Sequence, residues 1–415
     1  MRTVSQSERT HIAFVGKRNV GKSSLVNKFI GQDLVIVSDT PGTTTDPVKK
    51  AMELLPYGPV VLIDTAGIDD IGELGEKRID KTFKIISEAD FVILVLDANE
   101  KISEEEKTFI KYLNNYELPF FTVINKSDQG INFELVDELH SLGIKYLDVS
   151  SKTGAGINEL KEKVMTLLPS EDDQTLLGDL IRKDEVIVLV IPIDPGAPKG
   201  RVILPQVQAL RESLDKNAIV VVAQDKELDS ALKKLSNPPK LVVTDSQAIK
   251  LVSEIVPPNV QLTTFSILMA RYKGDLLEYI RGLKKIEELK NGDRVLIAEA
   301  CSHHVQDDDI GTIKIPNWLK NYTQKSLDIN IVNGHDFPSN LSDYDLIIHC
   351  GSCMLTRKAT MARIKQAKAL GVPIVNYGVT ISYLHGAIPR CLQPFDEAIS
   401  EWKKYPISKI NVTYL

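Results

Sequence analysis

Gly16-Lys17-Arg18-Asn19-Val20-Gly21-Lys22-Ser23 lies between an apolar run, His11 to Val15, and a stretch of helical character, Ser23 to Phe29. Strand, glycine-rich loop and helix in that order make a phosphate-binding loop. The glycines let the backbone approach phosphate oxygens where any side chain would stand in the way, and successive amides then point at the anion. Gly16, Asn19 and Gly21 shape the loop in this reading, and Lys22 reaches the outer phosphates. Ser23 brings a hydroxyl to magnesium, with Ser24 beside it lining the same site.

Three further motifs follow in order. Val60 to Ile63 is an apolar strand that runs into Asp64-Thr65-Ala66-Gly67, where Asp64 can hold magnesium and the Gly67 amide can sense the terminal phosphate. Phe120 to Ile124 leads into Asn125-Lys126-Ser127-Asp128. The Asp128 carboxylate can accept two hydrogen bonds from a guanine edge, whereas adenine offers no matching donors. Tyr146 to Val149 runs into Ser150-Ser151-Lys152, placed to close over the base. Thr43, Thr44 and Thr45 follow the first helix, and Thr44 is assigned as the threonine that touches magnesium. Each short motif alone can be a surface turn, but four in this order at strand ends predict a GTPase with Lys22, Thr44, Asp64 and Gly67 as its catalytic set.

The chain has 415 residues, too many for one core, and three domains are expected. Pro169-Ser170-Glu171-Asp172-Asp173-Gln174 is acidic and helix-breaking and reads as a linker, giving a GTP-binding domain over 1–172. Strands at Val186 to Ile191, Ile219 to Ala223 and Leu241 to Thr244 alternate with helical segments, which predicts a small α/β unit over 173–264. It carries no nameable chemistry; Pro195-Gly196-Ala197-Pro198-Lys199-Gly200 lacks the Gly-Lys-Ser ending of a second phosphate loop. A unit of that kind between two functional domains suits homodimerisation. The remaining α/β pattern, 265–415, is expected to be a Rossmann-like domain carrying metal ligands.

Those ligands come in two groups, Cys301-Ser302-His303 and His349-Cys350-Gly351-Ser352-Cys353. Arg294 to Ala300 delivers Cys301 and Asp345 to Ile348 delivers His349 and Cys350, so both groups leave strand ends, where open parallel sheets bind ligands. Leu355 to Leu370 reads as a helix ending at Gly371, which sets Cys353 near a helix amino terminus that favours thiolate. Three cysteines and a histidine make a closed zinc site, and three thiolates with a weaker fourth ligand equally describe an iron–sulfur cluster with one open iron. In a third reading His303, His304 and His349 are hydrogen-bonded strand-end residues and only the thiols bind metal. Cys391 has no paired cysteine and reads as a buried apolar thiol.

Composition limits the setting. Hydrophobic residues make up 43% and charged residues 26%, and apolar runs such as Phe91 to Leu96 are strand-length, so no membrane insertion is expected. Met1-Arg2-Thr3-Val4-Ser5-Gln6 lacks the apolar core of a secretory signal, which predicts a cytoplasmic protein with reduced thiols. The net charge of -6 argues against broad nucleic-acid binding.

The motif order resembles the small GTPases of the tRNA-modification and ribosome-assembly branch over roughly the first 170 residues. In that branch an asparagine at the position of Asn19 helps hold a potassium ion that stands in for an arginine finger. Ile68 follows Gly67 where a glutamine would orient the attacking water, so slow intrinsic hydrolysis is expected.

With Cys-x-His and a distant His-Cys-x-x-Cys behind it, the whole chain resembles the [FeFe]-hydrogenase maturation GTPases. That resemblance implies a scaffold whose Cys301, Cys350 and Cys353 hold a [4Fe–4S] cluster, with His349, His303, Glu299 or solvent at the fourth site. It also implies partners: two radical-SAM maturases that supply a di-iron precursor, and the apo-hydrogenase that receives it. The alternative is a cytoplasmic GTPase with a structural zinc domain acting in ribosome assembly or tRNA modification. Such a domain more often uses paired Cys-x-x-Cys knuckles and a basic face, neither of which the sequence carries.

Overall fold

The structure is a computed structural model that describes residues 9–31, 48–69, 86, 89–115, 117–168, 175–193, 202–300, 309–334, 337–338, 340–352 and 355–404. Thr44, Cys301, His303, His304 and Cys353, and the Pro195–Gly200 turn, lie outside the described residues. The chain divides into two compact units, Met1–Glu171 and Asp172–Leu415.

The first unit is built on strands β1 (Thr10–Val15), β2 (Val48–Leu54), β3 (Gly58–Asp64), β4 (Phe91–Asp97), β5 (Phe120–Asn125) and β6 (Tyr146–Asp148). They lie in the order β2-β3-β1-β4-β5-β6, with every pair parallel except β2 against β3. Side chains alternate across a strand, so Ile12 and Phe14 enter one core layer while Ala13 and Val15 enter the layer on the opposite face. Burial on both faces explains why β4 reads as an unbroken apolar run.

The second unit holds two four-stranded sheets. β7 (Val186–Val190), β8 (Ile219–Ala223), β9 (Leu241–Thr244) and β10 (Gln261–Thr264) form the first, in the order β10-β9-β7-β8. β11 (Arg294–Glu299), β12 (Asp328–Asn333), β13 (Leu346–His349) and β14 (Ile374–Asn376) form the second, in the order β12-β11-β13-β14. All pairings in both are parallel. One apolar core runs from Leu176 to Ala398 and joins both sheets.

The joint is the helix Phe265–Lys273, which starts directly after β10 and packs on the helices Arg357–Ala369 and Tyr377–Leu384 of the second sheet. Thr264 caps its amino end by accepting from the Ile267 amide. Gly378 makes the closest approach: a methyl there would stand 2.2 Å from the Ser266 Cβ. Gly378→Ala is therefore expected to destabilise the second unit by about 1–3 kcal/mol through overpacking, read as a lower urea midpoint at unchanged slope. An unchanged midpoint would show that the two helices can part without cost.

Candidate functional site

Lys22 opens the helix Lys22–Ile30, and Gly21 before it takes φ 90°, a left-handed conformation that glycine adopts without steric cost. A methyl on Gly16 would stand 2.2 Å from the Val95 carbonyl oxygen, so only glycine lets the loop cross the end of β4. The Lys22 ammonium donates to the Gly16 and Lys17 carbonyls at 2.9 and 2.7 Å and is curled into the loop. Asn19 is exposed on the loop with φ 62°, as are the Ser23 and Ser24 side chains at the start of the helix.

Ser23 Oγ donates to Asp64 Oδ2 at 2.5 Å, joining the phosphate loop to the end of β3. Asp64 Oδ1 is buried and has no hydrogen-bond partner among the described residues. Burial pushes the carboxyl up, with the Ser23 hydrogen bond and the Lys22 charge opposing the shift. An orphaned carboxylate oxygen beside a serine hydroxyl is an oxygen donor set that suits magnesium. Gly67 lies against Arg18, and the next amide, of Ile68, donates to the Gly16 carbonyl at 3.3 Å, so the sensor segment begins in contact with the phosphate loop.

The residues expected at the base site converge through Asn125. Its amide nitrogen donates to the Val20 carbonyl at 2.8 Å and its amide oxygen accepts from the Ser151 amide at 2.9 Å, which ties three loops to one buried side chain. The Lys126 ammonium donates to Asp97 Oδ2 at 2.6 Å. Ser150 Oγ donates to Asp128 Oδ1 at 2.6 Å and fixes the carboxylate's direction. Lys152 is exposed. The first unit thus brings together the described members of the nucleotide site, and the bridging part played by Asn125 and Ser150 carries no sequence signal beyond the motifs themselves.

In the second unit, β11 and β13 are neighbours with Ala298 in register with His349. Their carboxyl ends therefore lie side by side. Ala300, the residue before Cys301, donates its amide to Cys350 Sγ at 3.2 Å. Cys350 is 9% exposed, and Thr356 caps the following helix, Arg357–Ala369, by accepting from the Ala359 amide. The helix begins two residues after the expected Leu355, because Thr356 supplies the capping hydroxyl. A soft thiol that receives a backbone N–H at a buried sheet end fits an iron–sulfur ligand.

His349 ends β13 and is buried. Its Nδ1 lies 2.9 Å from the Cys350 carbonyl oxygen and 3.3 Å from Ser352 Oγ, and its Nε2 lies 3.0 Å from Arg363 Nη1. Burial, then the Arg363 charge, push its pKa down to about 4, so it is neutral near pH 7. Glu299, at the end of β11, is also buried and accepts from the Tyr377 hydroxyl at 3.0 Å. Among the described residues no three histidine, cysteine or acidic side chains converge as a metal set. Cys391 is buried and its thiol is pushed up to about 12 by that burial, as suits an apolar thiol. No helix among the described residues is long and apolar enough to cross a membrane.

Comparison with known proteins finds three family models along the chain. Residues 11–126 match the family model described as a 50S ribosome-binding GTPase, 176–274 the hydrogen maturase F dimerization domain, and 277–394 the hydrogen maturase F tetramerization domain. GTPase Der of Clostridium kluyveri is 36% identical over 194 residues, 43% of this chain and 44% of the relative. GTPase Der of Clostridium botulinum (strain Langeland) is 38% identical over 164 residues, 36% of this chain and 37% of the relative. The chain thus spans less than half the length of these curated relatives. Among solved structures, the G domain of the T. maritima FeoB iron transporter matches at 26% identity and a TM-score of 0.30, covering 39% of this chain and 99% of that one. The FeoB G-domain of Methanococcus jannaschii matches at 22% and 0.30, covering 38% and 97%. With a GTPase domain in front and the two hydrogen maturase F domains behind it along one chain, the protein belongs to the hydrogen maturase F family of hydrogenase maturation GTPases.

Proposed function

We propose that the chain is a GTP-hydrolysing scaffold that carries a [4Fe–4S] cluster on Cys301, Cys350 and Cys353, accepts a di-iron precursor from radical-SAM maturases and hands it to apo-[FeFe]-hydrogenase in the cytoplasm. The observation that supports the reading is the Ala300 amide on Cys350 Sγ, because Ala300 is the residue before Cys301 and this contact lies at a sheet end. The cluster, when bound, supplies an iron with a weakly held fourth ligand to which an exogenous group can attach. The protein's part is to donate the Ala300 N–H, hold Cys350 out of bulk water and keep both segments at the ends of adjacent strands. A zinc knuckle is disfavoured by the sequence, which carries one Cys-x-x-Cys, Cys350 to Cys353, where structural zinc domains more often pair two. Stoichiometric zinc in place of iron after anaerobic reconstitution would overturn the proposal.

In the first unit Lys22 unfolds from the loop carbonyls to reach the outer phosphates, and Ser23, Asp64 and Thr44 hold magnesium. The Gly67 amide senses the terminal phosphate, and Asp128 reads guanine beneath Ser151 and Lys152. Ile68 is buried and offers no polar atom to orient a water, which supports slow intrinsic turnover. Asn19, exposed on the loop, supports a potassium ion as the missing cation. GTP turnover is expected to be faster in potassium than in sodium buffer at equal ionic strength, and Asn19→Ala to erase the difference. Equal rates in the parent would reject the potassium site.

For assembly, β8 is the surface of interest. It is an edge strand of the first sheet in the second unit, within the matched dimerization domain, and Ile219 and Val222 on it are each 53% exposed. Val221, Val222, Ile191, Ala231 and Leu235 line a cavity of about 650 Å³ beside it. Unpaired strand groups flanked by apolar side chains suit pairing with a second copy. Ile219→Lys with Val222→Lys is expected to shift the light-scattering mass toward the monomer, and an unchanged mass would place the dimer contact elsewhere.

A further inference from the structure

We propose that His349 is a positioning residue for the cysteine loop and not a metal ligand, and that Arg363 keeps it in that role. The proposal rests on the cluster reading above. A guanidinium can only donate, so the 3.0 Å contact between Arg363 Nη1 and His349 Nε2 requires a lone pair on Nε2. A carbonyl can only accept, so the 2.9 Å contact from Nδ1 to the Cys350 oxygen requires the proton on Nδ1. One neutral tautomer satisfies both partners and leaves neither ring nitrogen for a metal.

Arg363 is itself held. It lies on the helix Arg357–Ala369, is 6% exposed, donates from Nη2 to the Gly334 carbonyl at 3.2 Å and stacks over the Phe337 ring with 5.1 Å to the centroid. Phe337 also faces the His349 ring at 6.2 Å. Turning the imidazole toward a metal would strip a buried guanidinium of an acceptor, which is costly in a dry site. Through Nδ1 the ring instead grips the carbonyl of Cys350 and the hydroxyl of Ser352, whose φ of 58° is left-handed. Ser352 is the residue before Cys353, so the clamp holds the chain where it leaves the second thiol on the way to the third. This is how a residue beyond the ligands orients them.

The test uses the full chain, reconstituted anaerobically with ferrous iron and sulfide, reduced, and studied by pulsed EPR with ring-¹⁵N histidine against unlabelled protein. His349→Asn keeps a donor for the Cys350 carbonyl, so its [4Fe–4S]⁺ spectrum and nitrogen couplings are expected to match the parent's. Arg363→Met is expected to lower iron affinity by about 10–100-fold at unchanged GTP turnover, and Arg363→Lys to recover part of the loss. A histidine coupling present in the parent and absent from His349→Asn would overturn the assignment while leaving the cluster in place. Unchanged iron affinity in Arg363→Met would overturn the part given to Arg363. A parent without any [4Fe–4S]⁺ signal would overturn the cluster reading and this assignment with it.

Discussion

Asp128→Asn is expected to raise the KM for GTP by on the order of 10²–10⁴-fold and to turn the protein toward xanthosine triphosphate. A carboxylate meets the two donors of the guanine edge with two acceptors, and each charge-assisted bond of that kind contributes about 1.5–3 kcal/mol. Asparagine puts an N–H opposite one guanine donor, so one bond becomes a clash of donors. Xanthine carries an oxygen there, which the same N–H can meet. Ser150 Oγ already holds Asp128 Oδ1 at 2.6 Å, so the side chain is locked in place and cannot turn away from the mismatch. Turnover measured with both nucleotides decides it: equal GTP kinetics in parent and variant would show that Asp128 does not read the base.

The second large effect lies in the other unit. Cys350→Ser is expected to abolish cluster binding while leaving GTP turnover within about twofold of the parent's. Serine keeps the volume and can still accept the Ala300 N–H, so the fold stands. A hydroxyl does not ionise as a thiol does and is a poor match for iron in a sulfide cluster. Cys350 lies in a different compact unit from the nucleotide site, with a different core, so the substitution leaves the packing of the GTPase unit's own core unchanged. Iron content and initial GTPase rate on the same preparation test both halves. Loss of turnover along with iron would mean that the two units are energetically coupled.

Much of this was legible before the structure. Phosphate loop, sensor and base motifs sit at the ends of β1, β3 and β5 because those strands are buried on both faces and read as plain apolar runs. The same holds for β11 and β13, whose ends carry Glu299, His349 and Cys350. Strands with a polar face escaped. β2 contains Lys49, Lys50 and Glu53 and lies at an edge, and β12, at another edge, alternates Asp328 and Asn330 with Ile329 and Ile331 and ends on Asn333. Short β14 has too few residues to show a period. A shared core between the last two expected domains is not written in the sequence either, since helix Phe265–Lys273, which buries Phe265, Ile267, Leu268 and Met269, contributes to the core that joins both sheets.

The proposed site is written in the sequence through its candidate ligands and not through their supports. Cys301 and Cys350 each follow an apolar run in the sequence, but nothing there marks Arg363, fourteen residues beyond His349 on a helix. Sequence reading left His349 either a ligand or a hydrogen-bonded strand-end residue. Packing favours the second, because two partners of fixed polarity, a carbonyl and a guanidinium, take both nitrogens.

The most direct test of the scaffold claim is low-temperature EPR of the reduced, anaerobically reconstituted full chain, with iron, sulfide and zinc measured on the same sample. A [4Fe–4S]⁺ signal with matching iron and sulfide, lost in Cys301→Ser, Cys350→Ser and Cys353→Ser, is the expected result. Stoichiometric zinc with no iron and no signal would contradict it.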